Sequence, residues 1–186
     1  MPDVWSVLIA LWLAAGAASQ AQVQAPVQAT ASTPRPASTV QQVMQAILFP
    51  NANVIFSVQR DDPAVVARDA RPSASTNALT GLYGGWQAIE NSGLAVAEAA
   101  DLLNVGGRVC ANGTSVPVLE ADWKSAVRAM RESGMAVAAA ARARSQDRVS
   151  ELTEQLTTTC SNCHRVYRAR GNACVNSPAA PAAAPR

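Results

Sequence analysis

Val149, Leu152, Leu156, Cys160, Cys163 and Tyr167 follow one another at steps of three and four residues, a spacing that gathers them on one side of an α-helix and scatters them over both faces of a strand. Both cysteines therefore sit on an apolar stripe, and His164 comes directly after the second. Cys160-Ser161-Asn162-Cys163-His164 is a C-x-x-C-H run, the spacing at which two thiols add to haem vinyl groups while the next imidazole reaches the iron. A local disulfide, or a zinc knuckle completed by Cys110 and Cys174, would use the same sulfurs. Neither gives a role to a histidine at that position.

Three more stretches have helical periodicity and none alternates like a strand, so the expected fold class is all-α. The first helix starts after Ser38 or Thr39 and carries Val40, Val43, Met44, Ile47, Leu48, Val54, Ile55 and Val58 toward the core. Pro50 interrupts it, which predicts a kink over 46–50. A polar surface connection is expected over 60–76. The second helix is expected over 77–104, with Gly106-Gly107 supplying a left-handed cap. It would contain Gly84, Gly85 and Gly93, each costing about 1 kcal/mol against alanine, which suggests close approach by a neighbouring helix or a cofactor. A helix broken at Gly84-Gly85 is the alternative. The third helix is expected over 118–143, with Trp123, Val127, Met130 and Val137 inward. Ser145 caps the fourth and Gly171 ends it.

The two ends do not look like parts of the fold. Residues 4–18 are apolar and are followed by small and polar residues, the pattern of a signal peptide over 1–21. Its first residues carry no Lys or Arg, so an uncleaved anchor is the alternative. Residues 22–37 are a Gln, Ala, Pro, Ser and Thr linker, and 175–186 are a Pro and Ala tail. The domain is thus expected over 38–174, without a membrane span once the leader is removed, in the periplasm. Fifteen basic and 13 acidic residues leave a formal charge of +2, too mild to point to nucleic acid.

Helices of this length with short second and third connections pack most economically as an up-down-up-down four-helix bundle. That order brings the second connection and the end of the fourth helix to the same end of the molecule. A disulfide between Cys110 and Cys174 is expected from it, since an oxidising compartment and two spare cysteines supply the rest. The same bookkeeping of heights places Met44 level with His164, so Met44 is the candidate sixth ligand of the iron; the alternative is core filling. Met130 falls roughly 9 Å higher. Trp123 lies near haem height as well. Aromatic residues make up only 4% of the chain, so a porphyrin would supply apolar volume that an Ala and Val core lacks.

A haem motif near the end of the last helix, continuing as Cys160-Ser161-Asn162-Cys163-His164-Arg165-Val166-Tyr167-Arg168, resembles the cytochrome c prime group, the class II c-type cytochromes. The resemblance covers about residues 39–171, while residues 48–53, the long first connection and the Cys110-Ala111-Asn112-Gly113 loop depart from its best-known members. It implies one covalent haem c held by Cys160 and Cys163, with His164 as the proximal iron ligand and Arg168 near the proximal face; Tyr167 belongs to the same run. It also implies that a homodimer is open.

The expected function is electron transfer with a periplasmic redox partner protein; Arg165, Arg168 and Arg170 would face the haem propionates or an acidic partner. An empty sixth position would instead give a five-coordinate iron that binds small gases. A haem-free, disulfide-stapled helical module that binds a partner is the reading from another class. An enzyme is not expected, because the one histidine is committed to iron and no phosphate loop or nucleophile motif is present.

Overall fold

The computed structural model describes residues 36–65, 79–80, 83–168 and 174. The expected leader (1–21), the linker as far as residue 35, most of the polar connection beyond residue 65, Arg170, Gly171 and the tail (175–186) lie outside the described residues.

Among the described residues four helices carry the fold, in line with the all-α expectation. The first, α1, is continuous over residues 40–59 and made of four pieces: α-helical Val40–Val43, π-helical Met44–Leu48, α-helical Phe49–Phe56 and a 3-10 turn Ser57–Gln59. Thr39 caps it through a reciprocal box. Its hydroxyl accepts from Gln42 N at 3.2 Å, and the Gln42 side chain accepts from Thr39 N at 2.8 Å, satisfying two donors that a helix start leaves orphaned. The expected interruption at Pro50 takes the form of the π stretch: Phe49 N–H reaches back five residues to Met44 O. Proline has no N–H and its ring crowds the carbonyl four residues earlier, so the preceding turn widens to make room.

The second helix, α2, is Trp86–Leu103, nine residues shorter at its start than expected. Gly85 stands before it at φ +59°, and a Cβ there would lie 2.8 Å from Pro63 O. Gly84-Gly85 therefore marks a turn that lets the connection cross the helix start. The left-handed conformation expected of Gly106-Gly107 is taken by Gly107 (φ +78°), while Asn104 caps α2. Next come α3, Ala121–Arg142, and α4, Gln146–Tyr167. Between them Arg144 takes the left-handed position, with Ser145 N on Ala140 O and Arg144 N on Ala141 O, a Schellman closure that reverses the chain in three residues. Ser145 then caps α4 by accepting from Arg148 N.

The packing is most extensive between α2 and α3, followed by α1 with α2 and α3 with α4 to a similar extent, and then by α1 with α4. The α2–α3 crossing is backbone against backbone: a Cβ on Gly93 would lie 2.7 Å from Ala138 N, and one on Gly134 would lie 2.6 Å from Gly93 O. Close approach of a neighbouring helix at Gly93 is thus observed. Ile55, Ile89, Val96, Leu103, Val137, Val149, Leu152 and Leu156 fill the core among alanines. At one end, Gln59 Nε2 donates to Thr153 Oγ1 (2.7 Å) and Gln146 Nε2 to Val58 O (3.2 Å), joining the end of α1 to the start of α4. At the other, the start of α1 meets the α2–α3 connection, where Val40 N donates to Val109 O at 2.9 Å. Buried Arg108 fastens the same junction, its guanidinium on the Leu102 and Ser38 carbonyls and the Ser38 hydroxyl. The connection itself is pinched by an isolated bridge between Val109 and Ser115, and Cys110 within it is bonded to Cys174, with Cα atoms 5.6 Å apart. Among the described residues, no helix is long and apolar enough to cross a membrane.

Candidate cofactor cavity

At 100° per residue, positions i, i+3 and i+4 of a helix fall within one side of it, so Cys160, Cys163 and His164 share a face of α4. That face opens into a cavity of about 420 Å³, within the size range of ligand and cofactor sites. Opposite stands α1, which contributes Val40, Met44, Leu48, Phe49 and Phe56. Val96 of α2, Trp123 and Met130 of α3, Ala111 of the connection and Cys174 complete the wall. Of the residues singled out in the sequence for the haem site, Cys160, Cys163, His164, Met44, Trp123, Tyr167 and Arg168 line this one space, while Arg165 does not and Arg170 lies outside the described residues.

Three features of the wall were not foreseen. Met130, placed too high by helix rise alone, lines the cavity too and is more buried (3% exposed) than half-buried Met44. Phe49 lines the cavity yet is 70% exposed, which sets it at the mouth. Gln41, Gln45 and Thr157 supply polar lining; the four-residue step from Gln41 through Gln45 to Phe49 is the sequence signal for a helix face that borders a cavity rather than a packed core.

Trp123 and Tyr167 close one side of the cavity as an edge-to-face pair, with centroids 5.0 Å apart and planes at 83°, an arrangement favoured by the ring quadrupoles. The Tyr167 hydroxyl donates to Glu120 Oε2 at 3.4 Å. The Trp123 indole N–H is buried and has no hydrogen-bond partner among the described residues, although a buried donor left unpaired costs about 1–3 kcal/mol.

Burial pushes both thiols up, Cys163 to about 11 with the charge of Cys160 adding to it. The His164 imidazole is held down by burial and then by Arg168, which favours the neutral form that binds a metal. Cys110 and Cys174 are bonded to each other, so their sulfurs are not available to complete a zinc site with Cys160 and Cys163. Among the described residues, no three His, Cys, Asp or Glu side chains are grouped to hold an ion between them.

Burial, then Glu120 and Asp122, push the Tyr167 phenol from 10.0 up to about 12. The folded chain thus holds this proton more tightly than the unfolded one, so the associated stability is complete below pH 10 and is lost as pH rises from 10 to about 12. In the metal-free protein, Tyr167→Phe is expected to flatten the fall in urea midpoint across that window relative to wild type. An identical fall in both proteins would show that Tyr167 is not the group responsible.

Comparison of the chain with protein families, with curated proteins and with solved structures finds no match to any of them.

Proposed function

We propose that the protein is a mono-haem c-type cytochrome of the periplasm, built as an up-down-up-down four-helix bundle and acting in electron transfer. One observation carries the reading: the two thiols and the imidazole of the C-x-x-C-H run share a helix face that opens into an apolar cavity, with a methionine on the helix opposite. Cys160 and Cys163 would hold the porphyrin edge by thioether bonds. The neutral His164 imidazole and a methionine thioether would supply the nitrogen and sulfur donors that hold the iron. When bound, the haem supplies a one-electron couple whose potential follows from its axial ligands and its burial.

The chain's own residues do the rest. The apolar wall from Val40, Leu48, Leu156 and Val96 excludes water from the iron. Trp123 and Tyr167 fix one edge of the space, and the unpaired Trp123 N–H is a donor ready for a polar group of the cofactor. Arg168, at the cavity rim beside exposed Arg165, suits the propionates or an acidic partner protein. Met44 opens the π stretch of α1, and such stretches are frequent at functional sites; this favours Met44 over Met130 as the sixth ligand. The disulfide supports export, since such bonds persist in oxidising compartments.

Intact mass of protein exported in cells that attach haem is expected to show one haem added per chain, and the oxidised spectrum to be low-spin. Met44→Ala should turn it high-spin and open it to carbon monoxide, whereas Met130→Ala should leave it low-spin. A high-spin native protein that binds the gas readily would favour gas binding over electron transfer. The apo mass in a folded, helical product would remove the haem altogether and leave the disulfide-stapled binding module.

A further inference from the structure

Three cysteines, not two, line the cavity: Cys160, Cys163 and Cys174 stand in its wall, while Cys110, which is bonded to the third, lies buried outside it. We propose that the Cys110–Cys174 disulfide is a protecting bond, which occupies the third cysteine of the cavity wall and so keeps it from pairing with Cys160 or Cys163 before the cofactor is attached. The purpose of this bond rests on the haem reading; its pairing chemistry does not.

Thiols on one folded chain meet at effective concentrations of roughly mM or above, so two that share a cavity pair with each other before they pair with outside thiols. The presence of a disulfide already indicates an oxidising compartment. There a free Cys174 and Cys163 would give two electrons and two protons to a protein disulfide. That oxidant would leave as a dithiol, and one S–S bond would join the two cavity sulfurs. Cys163 would then have no S–H to add across a vinyl group. Cys174 is 4% exposed and Cys163 8%, so the new bond would be shielded from the thiolate that must attack it to reverse the error.

Cys110 is held ready to prevent this. Its amide donates to Thr114 O at 2.8 Å and its carbonyl accepts from Gly113 N at 3.0 Å, which fixes the turn. The Cα atoms of Cys110 and Cys174 stand 5.6 Å apart, inside the span that a disulfide bridges without backbone movement.

The two single variants separate protection from stability. Cys110→Ser and Cys174→Ser break the same bond and open the same loop, but only Cys110→Ser leaves a third thiol in the cavity wall. Exported without the haem-attachment machinery, Cys110→Ser should show Cys174 joined to Cys160 or Cys163 in a non-reducing peptide map, and Cys174→Ser should show no bond between Cys110 and either. With the machinery, covalent haem in Cys110→Ser should fall at least about tenfold below that in Cys174→Ser. Free Cys174 in the first map, or equal haem in the two variants, would overturn the proposal. Wild type without haem alongside a mispaired Cys110→Ser map would overturn the haem reading and leave the pairing standing. Should loss of the bond unfold both variants, the reduced wild-type chain is refolded in a glutathione redox buffer: Cys110–Cys174 with two free thiols supports the assignment, and mixed pairs overturn it.

Discussion

Gly134→Ala is expected to destabilise the fold by about 2 kcal/mol, the difference between an overpacking cost of about 3 kcal/mol, the upper end of its usual range, and the about 1 kcal/mol by which alanine is the better helix former. The added Cβ would meet Gly93 O at 2.6 Å and Ala97 N at 2.7 Å. Both are backbone atoms and cannot swing aside, so α2 and α3 must separate along their most extensive contact. Gly93→Ala meets Ala138 N and Gly134 O in the same way. Once one alanine has parted the helices, the second has less left to displace, so the double variant should cost clearly less than the sum of the singles. The ion pairs that bridge these helices, Arg142 with Glu90 and Arg131 with Asp101 and Glu98, lie at the surface and cannot hold them together. Gly106→Ala, with nothing within 4 Å of the added carbon, is the control and should be near neutral. Urea unfolding followed by circular dichroism measures all four. Strictly additive costs, or Gly134→Ala as mild as Gly106→Ala, would mean that the contact yields more easily than its backbone atoms suggest.

That contact also shows where the sequence is readable and where it is not. Gly93 signals a close approach because a glycine inside a helix must be compensated by something, and the small residue four positions on, Ala97, repeats in the partner as Gly134 and Ala138. Reading the small-x-x-x-small step on both helices would have named the crossing. Gly84 and Gly85 look the same by composition, yet they belong to a turn: the demand for a positive φ under Pro63 is tertiary and leaves no periodic trace. Pro50 announces a disturbance in α1 but not its form, since a kink and a π stretch both relieve the same clash. Thr39 and Ser145, whose short polar side chains cap helix starts, were legible from residue type alone.

The cavity divides in the same manner. The face of α4 that carries Cys160, Cys163 and His164 follows from helical period, and the height of Met44 from counting residues along α1. Met130 escaped because counting along a straight helix gives height but not how far down a cavity extends. The unpartnered Trp123 N–H has no sequence signature at all.

Cutting the Cys110–Cys174 bond is expected to have the largest effect of any single change to the covalent structure. With the two cysteines 64 residues apart, closing the loop restricts the unfolded chain enough to contribute about 4 kcal/mol by chain entropy. The folded end should keep its form after the cut, because Arg108 still ties Ser38 to the α2 end and Val40 N still donates to Val109 O. The loss therefore acts mainly on the unfolded state, and two readouts follow. The urea midpoint of the reduced, alkylated chain should fall, and the slope of stability against urea should rise, because a longer open chain exposes more surface on unfolding. Alkylation of the unfolded but unreduced chain should label neither Cys110 nor Cys174. A loss below about 1 kcal/mol with an unchanged slope would mean that the unfolded chain is already held compact at this end. The buried guanidinium of Arg108 would then be the first group to replace, since it is a side-chain tie between the start of α1 and the connection that carries Cys110.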